Sequence, residues 1–192
     1  LIYRLDRFIW ELAVQQLAKW QKEGRDELYI SVNISTKDFQ YMDVYQTITS
    51  LVERYGIIPS TLKLEITETA IMMGNAGELE TIGRFRNYGF EVEIDDFGSG
   101  YSSLNTLKDI DVDVLKIDMG FLRTTRSERV ERSMSILNMI ISLSKILGLS
   151  VVTEGVETKD QVSRLSQMGC GVYQGYYFSK PIPVHEFEER YM

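Results

Sequence analysis

Strand-like and helix-like runs take turns along the whole chain, and that alternation excludes most folds before any single residue is weighed. Leu28-Tyr29-Ile30-Ser31-Val32-Asn33-Ile34-Ser35 alternates strictly, with Leu28, Ile30, Val32 and Ile34 on one face and Tyr29, Ser31, Asn33 and Ser35 on the other. Leu62-Lys63-Leu64-Glu65-Ile66-Thr67-Glu68 repeats the pattern, and Phe90 to Ile94, Asp113 to Asp118, Ser150 to Glu154 and Val172 to Gln174 read as later strands. The chain opens on an amphipathic helix carrying Leu5, Ile9, Leu12 and Ala13, which runs through Trp20 and stops at Gly24. A second helix, with Val44, Ile48, Leu51, Val52 and Tyr55, ends at Gly56, and a third runs from about Ala76 to Gly89. Ser127 reads as the N-cap of a long helix whose core face holds Ile136, Ile140, Leu143 and Leu147, with Gly148 at its end. Thr158-Lys159-Asp160-Gln161 is a capping box that opens one more helix. This is the signature of a parallel sheet with crossover helices, an α/β architecture.

Where the polar residues fall separates a barrel from an open sheet. Asn33, Glu65, Asp95, Lys116, Glu154 and Gln174 each stand at the C-terminal end of a different strand. All are of metal-ligand or acid/base type, and their placement predicts a TIM-like (β/α)8 barrel, whose active sites gather at that end from several strands.

With 192 residues, 44% of them hydrophobic, the chain is long enough for one domain with a sizeable core. A formal net charge of -7 argues against DNA or RNA duplexes as partners, because phosphate backbones attract clustered Lys and Arg. The single Cys170 excludes an internal disulfide and suits a reducing cytoplasm, where it reads as a small buried residue. The one histidine, His185, leaves no cluster for zinc and no partner for a Ser-His or Cys-His nucleophile, so acid and base work falls to carboxylates or lysine. Ser135, Asn138, Ser142, Ser144 and Lys145 interrupt the most apolar stretch, Ser133 to Val152, which reads as a buried helix running into a strand rather than a membrane contact. There is no signal peptide, and Leu1 is not a natural start, so the chain reads as a piece of something longer.

Asp95-Asp96-Phe97-Gly98-Ser99-Gly100-Tyr101-Ser102-Ser103 places two adjacent carboxylates where a strand gives way to a glycine-punctuated loop. Two aspartates side by side repel each other, and hard oxygen ligands favour Mg²⁺ or Mn²⁺ over zinc as the neutralising charge. Lys116 brings positive charge into an acidic constellation; its structural alternative is an ion pair with Glu65 or Asp118.

Asn33-Ile34-Ser35, Glu65-Ile66-Thr67-Glu68, the Asp95 to Ser103 stretch, Leu115-Lys116-Ile117-Asp118, Glu154-Gly155-Val156-Glu157 and Gln174-Gly175-Tyr176 occur in one order. In that order the chain resembles the EAL-domain family of cyclic di-GMP phosphodiesterases, over residues 1–192 taken as one domain. The resemblance implies a hydrolase that cuts one phosphodiester of cyclic di-GMP to give linear pGpG with Mg²⁺ or Mn²⁺, two ions in all. By motif position Asn33, Glu65 and Asp95 resemble the ligands of one ion, and Asp95, bridging, and Asp96 those of another. Glu154 resembles the general base and Lys116 the cation that positions water and phosphate. Gln174 lines the site, while Glu68 anchors the loop of Gly98, Ser99 and Gly100, expected to be mobile and to order when metal and substrate bind. The resemblance also implies an upstream sensory or GGDEF-type domain in a parent chain, which would be cytoplasmic or membrane-anchored, and a homodimer. The competing reading is a catalytically inactive cyclic di-GMP receptor.

Two departures from the family stand out. The Glu-Ala-Leu stretch, whose Glu is a metal ligand, is absent, and about six strands are counted where a closed barrel has eight. The barrel is therefore expected to be N-terminally truncated and the chain alone impaired as an enzyme. Met119 stands where the family carries Arg. A final expectation comes from strand parity: Lys63 and Glu93 lie two residues before Glu65 and Asp95, which predicts a Lys63 to Glu93 ion pair beneath the metal site.

Overall fold

A computed structural model describes residues 2–98, 110–118, 120 and 127–192. It is an α/β fold whose six described strands form a sheet in chain order. The chain divides into two compact units, Leu1–Lys116 and Ile117–Met192.

The first unit begins with α1 (Ile2–Lys22) and continues through β1 (Ile30–Ile34), α2 (Thr36–Tyr41), α3 (Val44–Tyr55), β2 (Leu62–Thr67), α4 (Glu68–Met73), α5 (Ala76–Tyr88), β3 (Glu91–Phe97) and β4 (Val114–Ile117), whose last residue falls in the second unit. Strands β1, β2 and β3 pair in parallel, with Asn33 level with Glu65 and Glu65 level with Glu93. Period-two alternation gives this sheet two unlike faces. Val32, Ile34, Leu62, Leu64, Ile66, Val92 and Ile94 are all buried, and α1 packs on β1 and α5 on β3. Each such side chain contributes about 1.5–3 kcal/mol by leaving water. The opposite face carries Ser31, Asn33, Lys63, Glu65, Glu91, Glu93 and Asp95.

Helix ends follow their caps. Asp43 Oδ1 accepts from Gln46 N and starts α3, and Asn75 Oδ1 accepts from Gly77 N and Glu78 N to start α5. Arg86 on α5 grips Asp113 with two donors, at 3.0 and 2.8 Å, and Asp113 in turn accepts from Val92 N, tying helix to strand.

In the second unit, α6 (Ser127–Leu147) precedes β5 (Ser150–Thr153), α7 (Lys159–Gln167), β6 (Val172–Tyr173) and α8 (Val184–Tyr191). The Thr158 to Gln161 capping box forms as expected. Cys170 is buried, with its Sγ 3.2 Å from Thr153 Oγ1. No helix among the described residues is long and apolar enough to cross a membrane.

Three expectations are corrected here. The core face of α6 is Leu137, Ile141 and Ser144, whereas Ile136 and Leu147 are 41% and 42% exposed. Apolar residues line both sides of this helix, and the buried serine, which satisfies itself on Ile140 O at 2.9 Å, disguises the inner one. On α1 the buried side is Trp10, Ala13, Val14 and Leu17, leaving Leu5, Ile9 and Leu12 exposed. Strand β3 does not stop at Ile94 but runs through both aspartates to Phe97.

Candidate functional site

Trp10 Nε1 donates to Asn33 O at 3.0 Å and pins the end of β1. Just beyond, the buried Asp38 accepts from Ser35 N and Ser35 Oγ at 2.7 and 2.6 Å, so the chain leaves the strand through a rigid cap into α2. Asn33 is thereby held level with Glu65 on β2, with its side chain exposed.

The centre of the first unit's polar face is Lys116. Its side chain is 4% exposed, and its Nζ lies 2.6 Å from Glu65 Oε1 and 3.2 Å from Asp95 Oδ1. The ion pair with Glu65 raised in the sequence reading is present, and Asp95 shares it. The other alternative partner, Asp118, accepts from Gly120 N at 2.6 Å. Asp95 and Asp96 offer carboxylate oxygens within 4.8 Å of each other. Asp96 has φ 56°, the one positive φ among described residues other than glycine, a conformation that costs on the order of 1–3 kcal/mol and turns the second aspartate out of the strand's regular alternation.

Below this level sits a second charged group. Lys63 Nζ is 2.8 Å from Glu91 Oε1 and 3.6 Å from Glu93 Oε1, and Ser31 Oγ donates to Glu93 Oε2 at 3.2 Å. The expected Lys63 to Glu93 pair therefore exists, on the expected face. Its register is two residues from the expected one, because Lys63 stands level with Glu91 and Asp95 with Thr67. Alternation tells which face a residue takes and not which neighbour it meets. Burial works against the Lys63 charge, yet the Glu91 hydrogen bond and the charges of Glu91 and Glu93 outweigh it and hold its pKa above the ordinary lysine value. Burial pushes the Glu93 carboxyl above its usual range, with Glu65 adding to the rise and Lys63, Lys116 and Ser31 opposing it. Glu91 and Ser31 were missed by sequence reasoning, although Ser31 lies two residues before Asn33 and the same period of two points to it.

Glu68 is not a strand end but the first residue of α4, capped by Thr67, whose Oγ1 accepts from Ala70 N. Its buried carboxylate accepts from Gly98 N at 3.1 Å, the loop contact expected of it. Gly98 itself has φ 91°. Ser99, Gly100 and Met119 lie outside the described residues.

In the second unit, Glu154 and Gln174 follow directly on β5 and β6. Glu154 N donates to Ile117 O at 3.1 Å and Gln174 N to Thr153 O at 2.9 Å, so the ladder continues into both residues. Gly175 comes so near the Val156 backbone that a Cβ would stand 2.2 Å from its carbonyl oxygen, which forces glycine after Gln174. Glu154 is half-buried and Gln174 exposed.

The donor set of the first unit fits a hard divalent cation. All its donors are oxygens, Glu65, Asp95 and Asp96 outnumber Lys116, and Asp95 Oδ1 is a buried oxygen to which no donor is aligned.

The sequence profile of the EAL domain matches residues 1–181. The cyclic di-GMP phosphodiesterase RocR of Pseudomonas aeruginosa is 32% identical over 185 residues, covering 95% of this chain and 47% of RocR. The solved complex of the PaMucR phosphodiesterase with c-di-GMP is similar at a TM-score of 0.89 and 31% identity, covering 97% of this chain and 74% of that one. The calcium and cyclic di-GMP complex of Klebsiella pneumoniae BlrP1 is similar at a TM-score of 0.79 and 25% identity, covering 93% and 44%. The chain thus spans about half the length of RocR or less than half that of BlrP1.

Proposed function

The chain belongs to the EAL domain family, and from that premise we propose that it is a metal-dependent phosphodiesterase that opens cyclic di-GMP to linear pGpG. The observation that carries the reading is the meeting of Glu65 and Asp95 at Lys116 Nζ, with Asp96 beside them and Asn33 level with Glu65. A substrate phosphodiester is an anion, and carboxylates would repel it unless they hold cations. Asn33, Glu65, Asp95 and Asp96 are the residues that would hold Mg²⁺ or Mn²⁺, whose contribution is to neutralise the phosphate and acidify water. The calcium complex of BlrP1 supports a divalent cation in this family; two ions of Mg²⁺ or Mn²⁺ are our finer proposal.

Glu154 takes the proton of the attacking water in this reading. Lys116, anchored on two carboxylates, is the cation that positions water and phosphate. Gln174 lines the site, and Glu68 fixes the start of the glycine loop through Gly98 N without touching the reacting atoms. The domain, residues 1–192, would act in the cytoplasm, as part of a parent chain with a sensory or GGDEF-type domain and as a homodimer. The test is chromatography of products after incubation of cyclic di-GMP and Mn²⁺ with the chain, alone and extended at its N-terminus. Release of pGpG from the extended chain is expected, and tight binding of cyclic di-GMP with no product would establish the receptor reading instead.

A further inference from the structure

Three contacts between α1 and the stretch that ends and leaves β1 run in step. Tyr3 stacks on Tyr41 with ring centroids 5.7 Å apart, Asp6 meets Asp38, and Trp10 Nε1 donates to Asn33 O at 3.0 Å. Positions 3, 6 and 10 lie on one face of a helix, and their partners 41, 38 and 33 descend along the chain in the same order. The outer two contacts are an aromatic stack and an ordinary hydrogen bond, but the middle one joins two acids. Asp38 is 0% exposed, and its Oδ2 takes both donors of Ser35, at 2.7 and 2.6 Å. Its Oδ1 is buried and accepts no hydrogen bond from the described residues. A buried carboxylate oxygen is costly unless something donates to it, and the group that faces it is the half-buried Asp6, which donates only when protonated. Capping alone would be served by Gln at the Asp38 position, whose amide would donate to Asp6 with no proton to share.

We propose that Asp6 and Asp38 share one proton and form a pH-sensitive latch: neutral Asp6 donates to Asp38 Oδ1 and holds the first turns of α1 on the cap that follows Asn33, and the latch opens when Asp6 gives its proton to solvent. The other charged groups on the elements around it are exposed or engaged elsewhere. Arg4 and Arg7 on α1 and Lys37 on α2 are exposed, and β1 carries no charge. On α3, Arg54 pairs with Glu11 at 3.3 Å and Glu53 accepts from Tyr88 Oη; on β2, Lys63 pairs with Glu91 and Glu65 with Lys116. Burial and then the Asp38 charge act on Asp6 in the direction the latch needs, holding its carboxyl above the ordinary range. The latch couples pH to the strand end that carries Asn33, whatever the site binds.

Nuclear magnetic resonance titration of the Asp6 carboxyl carbon, paired with hydrogen exchange of the α1 amides, tests the latch in the full chain and in Asp6→Asn and Asp38→Asn. Asp6 is expected to titrate above the unfolded value of about 3.9. Because the folded chain then holds this proton more tightly than the opened one, protection of the first turns of α1 should fall from about pH 4 until Asp6 has ionised, by at most about tenfold per pH unit, and level off beyond. Asp6→Asn, whose amide donates at every pH, should show no such fall and should exceed the unmodified chain in protection at about pH 8. Asp38→Asn weakens the Ser35 cap but gives ionised Asp6 a donor, so it too should lose the fall. An Asp6 carboxyl that titrates at or below about 3.9, or a pH profile of protection in Asp6→Asn identical to that of the unmodified chain, would overturn the inference. A fall lost in Asp6→Asn but kept in Asp38→Asn would show that Asp38 is not the partner and would overturn it as well.

Discussion

Two groups of charge on one face of β1, β2 and β3 are balanced in opposite ways. In the lower group Lys63 lies between Glu91 and Glu93, and Ser31 completes Glu93, so each charge has a partner within the protein. In the upper group Lys116 serves both Glu65 and Asp95, Asp96 adds a further carboxylate, and Asp95 Oδ1 has no aligned donor. Similar residue types on neighbouring strands thus build a closed group, one lysine to two carboxylates, and an open one, one lysine from β4 to three. The difference teaches where to look for function: of the two groups, the one richer in carboxylate is the one that a cation would join.

Breaking the closed group should give the largest effect. Lys63→Ala strands Glu93, and urea unfolding is expected to find the chain destabilised by about 3 kcal/mol, the lower end for removing one partner of a buried pair. A loss below about 1 kcal/mol would show that the lower group is solvated and erase the contrast.

The open group should respond in activity rather than in folding. Glu65→Gln keeps the shape and removes one charge, so cyclic di-GMP hydrolysis should fall by more than about 100-fold, beyond what the loss of a mere supporting partner costs. Circular dichroism of that variant should match the unmodified chain. Turnover within a few-fold of normal would mean that Glu65 serves Lys116 alone.

Glu68 sharpens the comparison from the side, since it supports the open group through Gly98 N and not through a cation. Glu68→Ala is expected to lower kcat about tenfold while Mn²⁺ affinity stays unchanged. Equal loss of both would place Glu68 among the cation's own partners.

The smallest effect belongs to an acid pair, Asp6 and Asp38. Asp6 is pushed above the ordinary carboxyl range, first by burial and then by the charge of Asp38 and a hydrogen bond to it. Because its folded pKa is raised, the stability it contributes is present below the unfolded value of about 3.9 and is lost as pH rises through the folded one. Asp6→Asn should therefore raise the urea midpoint at about pH 8 and flatten its slope from about pH 4 upward. A slope identical to that of the unmodified chain would show the pair to be freely hydrated.

Much of this was legible in the sequence because strict alternation is a strong signal. Asn33, Glu65 and Lys116 could be placed at strand ends from pattern alone, and the face shared by Lys63 and Glu93 followed from parity. The level of each strand against the next did not follow, since a shift of two residues leaves every face unchanged, and Glu91 therefore displaced Glu93 as the nearest partner of Lys63. Asp95 and Asp96 read as a strand end because aspartate is uncommon in strands and glycine follows. The strand nevertheless runs through both to Phe97, and the left-handed φ of Asp96 within it is announced by no local pattern. The face of α6 was misread for the opposite reason: it has apolar residues on both sides, and a serine on the buried one.

The central claim is that these carboxylates hold a cation for phosphodiester cleavage. Its most direct test is the fate of cyclic di-GMP incubated with Mn²⁺ and the N-terminally extended chain, followed by chromatography, with Asp95→Asn and an EDTA-treated sample alongside. The account predicts pGpG from the unmodified sequence and from neither control. Intact cyclic di-GMP recovered from all three, or pGpG formed equally with Asp95→Asn, would contradict it.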